Sequence, residues 1–452
     1  MNIVIIGDGK VGHKLAAQLS GDDYNVTLID KNPRRLENSV NEMDVSCVAG
    51  DGASANVQKK AGVPDADLVI ACMSTDEINL ISCLLAKKLG AKKTAARVRN
   101  PVYHEHIRLL KDDLKLDLPV NPEYVLAGRI ARVLIFPSAA KVETFAHGLV
   151  ELVEVTLSKD GGLDGIAVVD IYKKFQVKML ICAVQRGTKV YIPDGSFVLK
   201  AGDKIYITGS HQEIEKFFII IKNKRSRCKN VMICGGGRVS FYLAQQLTAI
   251  GMRVKIVEQD RERCLELCEQ LPKATVINGD AADHELLEEE GLSGTDAFVA
   301  VTGSDEENVI MSIYANSRGV GKVVTKVNND AISEMVESLG LESIVSAKNV
   351  TADVTVGYVR ALINSMGSAN VETVYKLVGG RVEAVEFFIR EKTRYIGIPL
   401  KDLRLKENHL IAAIVRKNKI IIPGGNDYMA EGDSVIVISM TSGLSDLKDI
   451  FL

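Results

Sequence analysis

Ile3-Val4-Ile5-Ile6-Gly7-Asp8-Gly9-Lys10-Val11-Gly12 is the stretch that decides the fold. A short apolar run reads as a buried strand, and the glycine-rich turn after it opens a helix-like segment. Glycines at the first, third and sixth loop positions let backbone amides approach a pyrophosphate and let the helix pack on the strand. Eighteen residues past Gly12 comes Asp30, at the tip of the next strand-like run. The pattern returns as Val231-Met232-Ile233-Cys234-Gly235-Gly236-Gly237-Arg238-Val239-Ser240, again with an acid, Glu258, eighteen residues on. One such loop is a weak signal; two in the same context predict two phosphate-binding strand–loop–helix turns.

The repeat extends well beyond the loops. At a shift of 228 to 230 residues, Gly50-Asp51 falls on Gly279-Asp280, Asp76-Glu77 on Asp305-Glu306, Asn79 on Asn308 and Arg97-Val98 on Lys326-Val327. Pro193 meets Pro423 and Gly202-Asp203 meets Gly432-Asp433. Two unrelated Rossmann folds would share the loop and the acid but not the later pairs, so the chain is an internal duplication. The predicted class is α/β: two tandem repeats, each a Rossmann-like doubly wound parallel sheet followed by a small α+β lobe.

The expected divisions are Rossmann lobes at 1–125 and 229–350, crossover helices at 126–140 and 351–368, and small lobes at 141–222 and 369–452. Strands are expected at Asn2–Ile6, Val26–Asp30, Ser46–Ala49, Leu68–Met73 and Thr94–Val98. An apolar helix follows from Tyr124 to Phe136, stopped by Pro137, with its counterpart at Thr351 to Met366. Short alternating strands broken by Asp160-Gly161-Gly162, Asp194-Gly195 and Ala201-Gly202-Asp203 mark the small lobe. A basic linker, Lys222 to Lys229, reads as a solvated connector between the halves.

Composition narrows the function. The chain has 452 residues, 46% of them hydrophobic, and a formal net charge of −2. That is ample for several cores and gives no footprint for nucleic acid. No apolar run approaches the length of a membrane span. The eight cysteines show neither zinc nor thioredoxin spacing, which fits a reducing, cytoplasmic setting.

In each loop the helix directs unpaired amides and its positive end at phosphates. Candidate binding residues in the first lobe are Gly7, Asp8, Gly9, Lys10, Val11, Gly12, Asp30, Asp51, Met73, Ser74 and Arg97. In the second they are Gly235, Gly237, Arg238, Val239, Glu258, Asp280 and Lys326. Asp30 suits a ribose diol and repels a 2′-phosphate, which favours NAD(H) over its 2′-phosphorylated form and leaves ADP and ATP open. Lys10 reads equally as a ligand contact and a solvated cation. Thr75-Asp76-Glu77 read equally as a helix N-terminus with capping side chains. The second site departs from the pattern at Ser240, in place of the third glycine, and at Lys326, in place of Arg97, giving up the planar guanidinium fork.

Chemistry is harder to find. No tyrosine is followed four residues later by lysine, the seven histidines are scattered, and no metal-ligand cluster is visible. A nicotinamide oxidoreductase needs a proton donor or acceptor beside the ring. Sensing is therefore expected rather than turnover, with an NAD-dependent oxidoreductase as the alternative.

Together these residues resemble the regulator-of-potassium-conductance family in its tandem form, the peripheral subunits of Trk-type potassium-uptake systems. Gly7 to Gly12, Asp30, Gly50-Asp51-Gly52, Ala66 to Ala71, Asp76 to Leu80 and Arg97 to Pro101 carry the likeness, which spans essentially the whole chain. The resemblance implies a cytoplasmic gating subunit on the inner face of the cell membrane, bound to an integral-membrane potassium channel or transporter. It also implies homo-oligomerisation as a tetramer and Rossmann lobes that bind NAD(H) or ADP and ATP. A different cation transporter as partner is the second alternative.

Overall fold

A computed structural model describes residues 1–21, 24–106, 113–159, 161–221, 228–341, 343–350, 354–357, 359, 371–390, 395–441, 443–444 and 446–452. Most of the second crossover helix expected at Thr351 to Met366, and most of the basic linker, lie outside the described residues.

The first lobe is a six-stranded parallel sheet built from β1 (Asn2–Ile6), β2 (Asn25–Asp30), β3 (Ser46–Ala49), β4 (Leu68–Ala71), β5 (Lys93–Arg97) and β6 (Leu118–Val120). Its order is β3-β2-β1-β4-β5-β6. The run Ile3 to Ile6 is at most 2% exposed, because helices cover both faces of a central parallel strand. The chain winds outward in opposite directions from β1 and β4, so a crevice opens beyond their carboxyl ends. β6 is too short to stand out in the sequence. Asp117 pins it: its carboxylate accepts the Thr94 N–H at 2.9 Å and meets Lys87 and Lys93 at 2.8 and 2.9 Å.

The first small lobe is an antiparallel sheet of β7 (Lys141–Phe145), β8 (Val150–Thr156), β9 (Met179–Arg186), β10 (Lys189–Tyr191) and β11 (Lys204–Gly209). The second half repeats the plan. Its parallel sheet comprises β12 (Asn230–Cys234), β13 (Arg253–Glu258), β14 (Thr275–Asn278), β15 (Ala297–Ala300), β16 (Lys322–Lys326) and β17 (Ser343–Val345), in the same strand order. The second antiparallel sheet comprises β18 (Val371–Leu377), β19 (Val382–Phe388), β20 (His409–Arg416), β21 (Lys419–Ile421) and β22 (Ser434–Ser439).

The halves are not beads on a string. The crossover helix runs Pro122–Ile135, starting earlier than its apolar face suggested because Asn121 caps it by accepting the Tyr124 N–H at 2.9 Å. Its apolar stripe of Leu126, Ala127, Ile130 and Leu134 shares one core with Phe241, Leu243 and Leu247 of the helix Arg238–Ala249 in the other half. Reciprocally, Val356 and Val359 pack with Leu15, Ala16 and Leu19 of the first half. The small lobes also pack together, with Phe145, Leu152 and Cys182 against Leu377, Ala384 and Ile438. That contact explains why β8 is buried along most of its length instead of alternating as its sequence suggested.

Candidate functional site

Gly7 ends β1 with φ of +105°, a conformation that favours glycine, and its N–H bonds the Ile29 carbonyl at 2.7 Å. Gly9 then caps the helix Lys10–Ser20 without a side-chain bond. The first-turn amides therefore have no intrahelical acceptor and face the crevice. A Cβ at Gly12 would lie 1.8 Å from the Gly7 carbonyl oxygen, so helix and strand meet at a distance only glycine permits. The second lobe holds Ser240 there, and its hydroxyl donates to the Gly235 carbonyl. The predicted departure thus has a physical form: a hydrogen bond replaces the close approach.

Asp30 stands at the tip of β2. One carboxylate oxygen accepts the Asp8 N–H and the other the Asn32 N–H, both at 2.8 Å. These bonds fix its orientation and leave lone pairs for a diol. Glu258 does the same in the second lobe, accepting from the Gly236 N–H at 2.5 Å and the Asp260 N–H at 2.8 Å.

The first crevice encloses about 350 Å³ and brings together Gly7, Gly9, Lys10, Val11, Asp30, Met73, Ser74 and Arg97 of the expected residues. Three others stay off its wall. Gly12 packs beneath the loop. The Asp8 carboxylate turns away to accept from the Ser39 hydroxyl at 2.7 Å, with His13 at 3.5 Å. Asp51 pairs with Lys31 at 3.0 Å. Lys31 and Arg35 do line the crevice, and loop spacing alone gave no sign of them. The second crevice, about 560 Å³, brings together all seven expected residues: Gly235, Gly237, Arg238, Val239, Glu258, Asp280 and Lys326.

Arg97 donates to the Met73 carbonyl at 2.6 Å, while its Nε is buried with no partner among the described residues. Burial, then repulsion from Arg99, holds its pKa below the usual arginine range. Lys326 makes the matching bond to the Thr302 carbonyl, and burial likewise lowers its pKa. Both cations reach the end of β4 or β15, each held on a backbone carbonyl there.

Of the residues read as possible helix caps, Asp76 is a structural latch, and its repeat partner Asp305 matches it. Asp76 accepts the N–H groups of Arg99 and Asn100, both at 2.7 Å, and Asp305 accepts those of Asn328 and Asn329, both at 2.9 Å. Asn79 ties the Met73 N–H to the Arg97 carbonyl at 2.7 and 2.9 Å, and Asn308 ties Thr302 to Lys326 at 2.9 and 3.0 Å.

Sequence reasoning missed the junction between the two crevices. Tyr242, buried on the helix that begins at Arg238, donates its hydroxyl proton to the Arg99 carbonyl at 3.0 Å and accepts from Asn121 at 2.9 Å. Burial pushes its pKa up to about 12. Two residues past Asn121, Glu123 reaches the wall of the second crevice, so the first half contributes to the second site.

Fold and site define a tandem Rossmann-type protein with a loop crevice in each half and a small antiparallel lobe behind each. The TrkA-N domain model matches residues 3–122 and 231–347, and the TrkA-C domain model matches 152–222 and 384–452. A Trk system potassium uptake protein TrkA homolog of Archaeoglobus fulgidus is 34% identical over 451 residues, covering all of both chains. TrkA homolog 1 of Methanosarcina mazei is 33% identical over 459 residues, again covering all of both. A structure of the GsuK channel bound to NAD shares the fold at a TM-score of 0.61 and 18% identity, covering 98% of this chain and 77% of that one. The chain belongs to the TrkA family, with both of its domain types present twice.

Proposed function

We propose that the protein is a nucleotide-sensing regulatory subunit of a membrane potassium-uptake system, acting at the cytoplasmic face on an integral-membrane channel or transporter subunit. Its full-length relatives are named Trk system potassium uptake proteins, which supports the transport role. Among the described residues no helix is long and apolar enough to cross a membrane, so the reading assigns ion passage to a partner. A homotetramer with Rossmann lobes in a ring would let nucleotide occupancy deform the assembly and bias the partner.

The observation that carries the reading is the pairing of open helix amides with the oriented Asp30 carboxylate across one crevice. NAD(H), ADP and ATP all present a ribose diol beside phosphates. Regulation is favoured over turnover because, among the described residues, neither crevice wall includes histidine or tyrosine, and burial pushes the Cys72 thiol at the first one up to about 12. A ligand shifts such an equilibrium only by its difference in affinity for the two shapes. Calorimetric titration of the full chain with NADH, NAD⁺, ADP and ATP tests the reading. Binding that Asp30→Ala weakens at least tenfold supports it, and absence of heat with all four ligands refutes it.

A further inference from the structure

The duplication creates two equivalent junctions between a loop helix and a crossover helix, and they are filled differently. In one, the helix Arg238–Ala249 meets the crossover helix Pro122–Ile135 through Tyr242 and Tyr124, edge to face with ring centroids 5.5 Å apart. Gln246 Oε1, one turn further on, stands 3.6 Å from where a Cβ would lie at Gly128, so the helices are in close contact. In the other junction, the helix Lys10–Ser20 carries Lys14 at the position of Tyr242 and Gln18 at that of Gln246. Ser346 accepts the Asn349 N–H at 3.4 Å as Asn121 accepts that of Tyr124, which sets Asn349 at the position of Tyr124. A lysine and a short amide thus replace the two rings.

At that second junction lies a chamber of about 650 Å³, with Lys14, Gln18 and Asn349 in its wall. The loop helix, the crossover helix, β7 and β18 converge on it, and its size and place are those of a small-molecule site. Among the described residues it shares no wall residue with either glycine-loop crevice.

The lining is of three kinds. Leu126, Val133, Val142 and Val350 form an apolar wall. Four cations, Lys14, Arg129, Lys141 and Lys376, line it with one acid, Glu143, which lies 3.5 Å from Arg129. The amide oxygens of Gln18 and Asn349 are buried with no hydrogen-bond partner among the described residues. Such acceptors are costly to leave unpaired, so either amide gains by turning onto a ligand donor.

We propose that this chamber binds a small organic acid in its anionic form, a carboxylate or sulfonate that carries an apolar body and an N–H or O–H donor. The anionic group meets the net positive lining, the body packs on the apolar wall, and the donor goes to Gln18 or Asn349. A ligand held there touches both small lobes and the helix that opens the first crevice.

Fluorescence titration of the full chain with anilinonaphthalene sulfonate, an aromatic anion with one N–H, tests the assignment. Saturable binding is expected, with affinity at least tenfold lower in Lys14→Ala and in Lys376→Ala, the loss of one charge-assisted contact each. The neutral analogue phenylnaphthylamine binds at least tenfold more weakly than the sulfonate. The double variant Lys14→Tyr/Asn349→Tyr copies the other junction, fills the chamber and abolishes binding. Should that variant not fold, the two lysine variants and the neutral analogue carry the test. No saturable binding, full binding in the double variant or in both lysine variants, or equal affinity for the neutral analogue overturns the assignment.

Discussion

Gly12→Ala is the sharpest probe of how the loop works. The added methyl would lie 1.8 Å from the Gly7 carbonyl oxygen, 3.0 Å from its carbon and 3.1 Å from the Cys72 sulfur. Reaching an ordinary contact of 3.4 Å requires a shift of about 1.6 Å. Gly7 cannot yield it, because its positive φ and its bond to Ile29 fix the turn. The start of the helix Lys10–Ser20 must move, and with it the first-turn amides. Overpacking of this kind costs about 3 kcal/mol, offset by about 1 kcal/mol of better helix propensity. Displaced amides lose one charge-assisted hydrogen bond or more to phosphate, about 2 kcal/mol, or a ten- to hundredfold loss of affinity at the first site. Calorimetry and thermal unfolding of the full chain measure both effects. Ser240→Ala is the control: its lobe already holds a Cβ at that place, so only the hydroxyl bond is lost, about 1 kcal/mol. Wild-type nucleotide affinity and an unchanged melting temperature in Gly12→Ala would refute the reasoning.

Arg97→Ala is expected to weaken binding at the first site at least tenfold, and Arg97→Lys, which recreates the Lys326 arrangement, to restore part of it; unchanged affinity in a calorimetric titration of the alanine variant sinks the phosphate role. Tyr242→Phe strands the Asn121 amide and the Arg99 carbonyl and should cost about 1–3 kcal/mol in chemical unfolding, with weaker mutual influence of the two sites on each other's affinity; full retention of both excludes the junction. Burial alone would raise the Asp117 pKa, but hydrogen bonds from Lys87, Lys93 and the Thr94 N–H outweigh it and hold the carboxyl below its usual range. Stability from that pairing is therefore present above the unfolded carboxylate pKa of about 3.9 and is lost as pH falls through the lower folded value. Asp117→Asn should cost about 1 kcal/mol at neutral pH, with the difference from wild type shrinking in acid unfolding as pH falls through the lowered folded value.

The strands, the loops, the acids and the duplication were legible because each rests on local chemistry. An apolar run such as Ile3 to Ile6 buries on both faces whatever surrounds it, and Gly7 and Gly12 report backbone positions that other residues resist. What escaped depends on partners distant in the chain. Asp8 belongs to the loop, yet the direction of its carboxylate is set by Ser39, thirty-one residues later. Arg35 carries no spacing signature. Glu123 sits on a helix assigned to the first half and lines the second crevice, which no reading of either repeat alone reveals. The uninterrupted burial of β8 reflects the second small lobe, whose sheet meets it only after the chain has returned.

Duplication within one chain also supplies its own control. The latches are matched: Asp76 and Asp305 hold the same pair of backbone amides, Asn79 and Asn308 bridge the same strand ends, and Arg186–Asp203 is mirrored by Arg416–Asp433 at 2.7 and 2.8 Å. Scaffold atoms therefore superpose in role, as do Asp30 with Glu258 and Arg97 with Lys326 at the crevices. Exchange at equivalent positions, Lys31 for Gln259 and Ile78 for Glu307, changes the charge lining the crevices, and Ser240 in place of Gly12 changes the loop. Tyr242 links the halves, since it touches the loop after β5 with its hydroxyl and rides on the helix that opens the second crevice. On the proposed sensing function, a movement of that helix on ligand binding would reach Arg99, two residues from Arg97, and the coupling would run equally in the other direction.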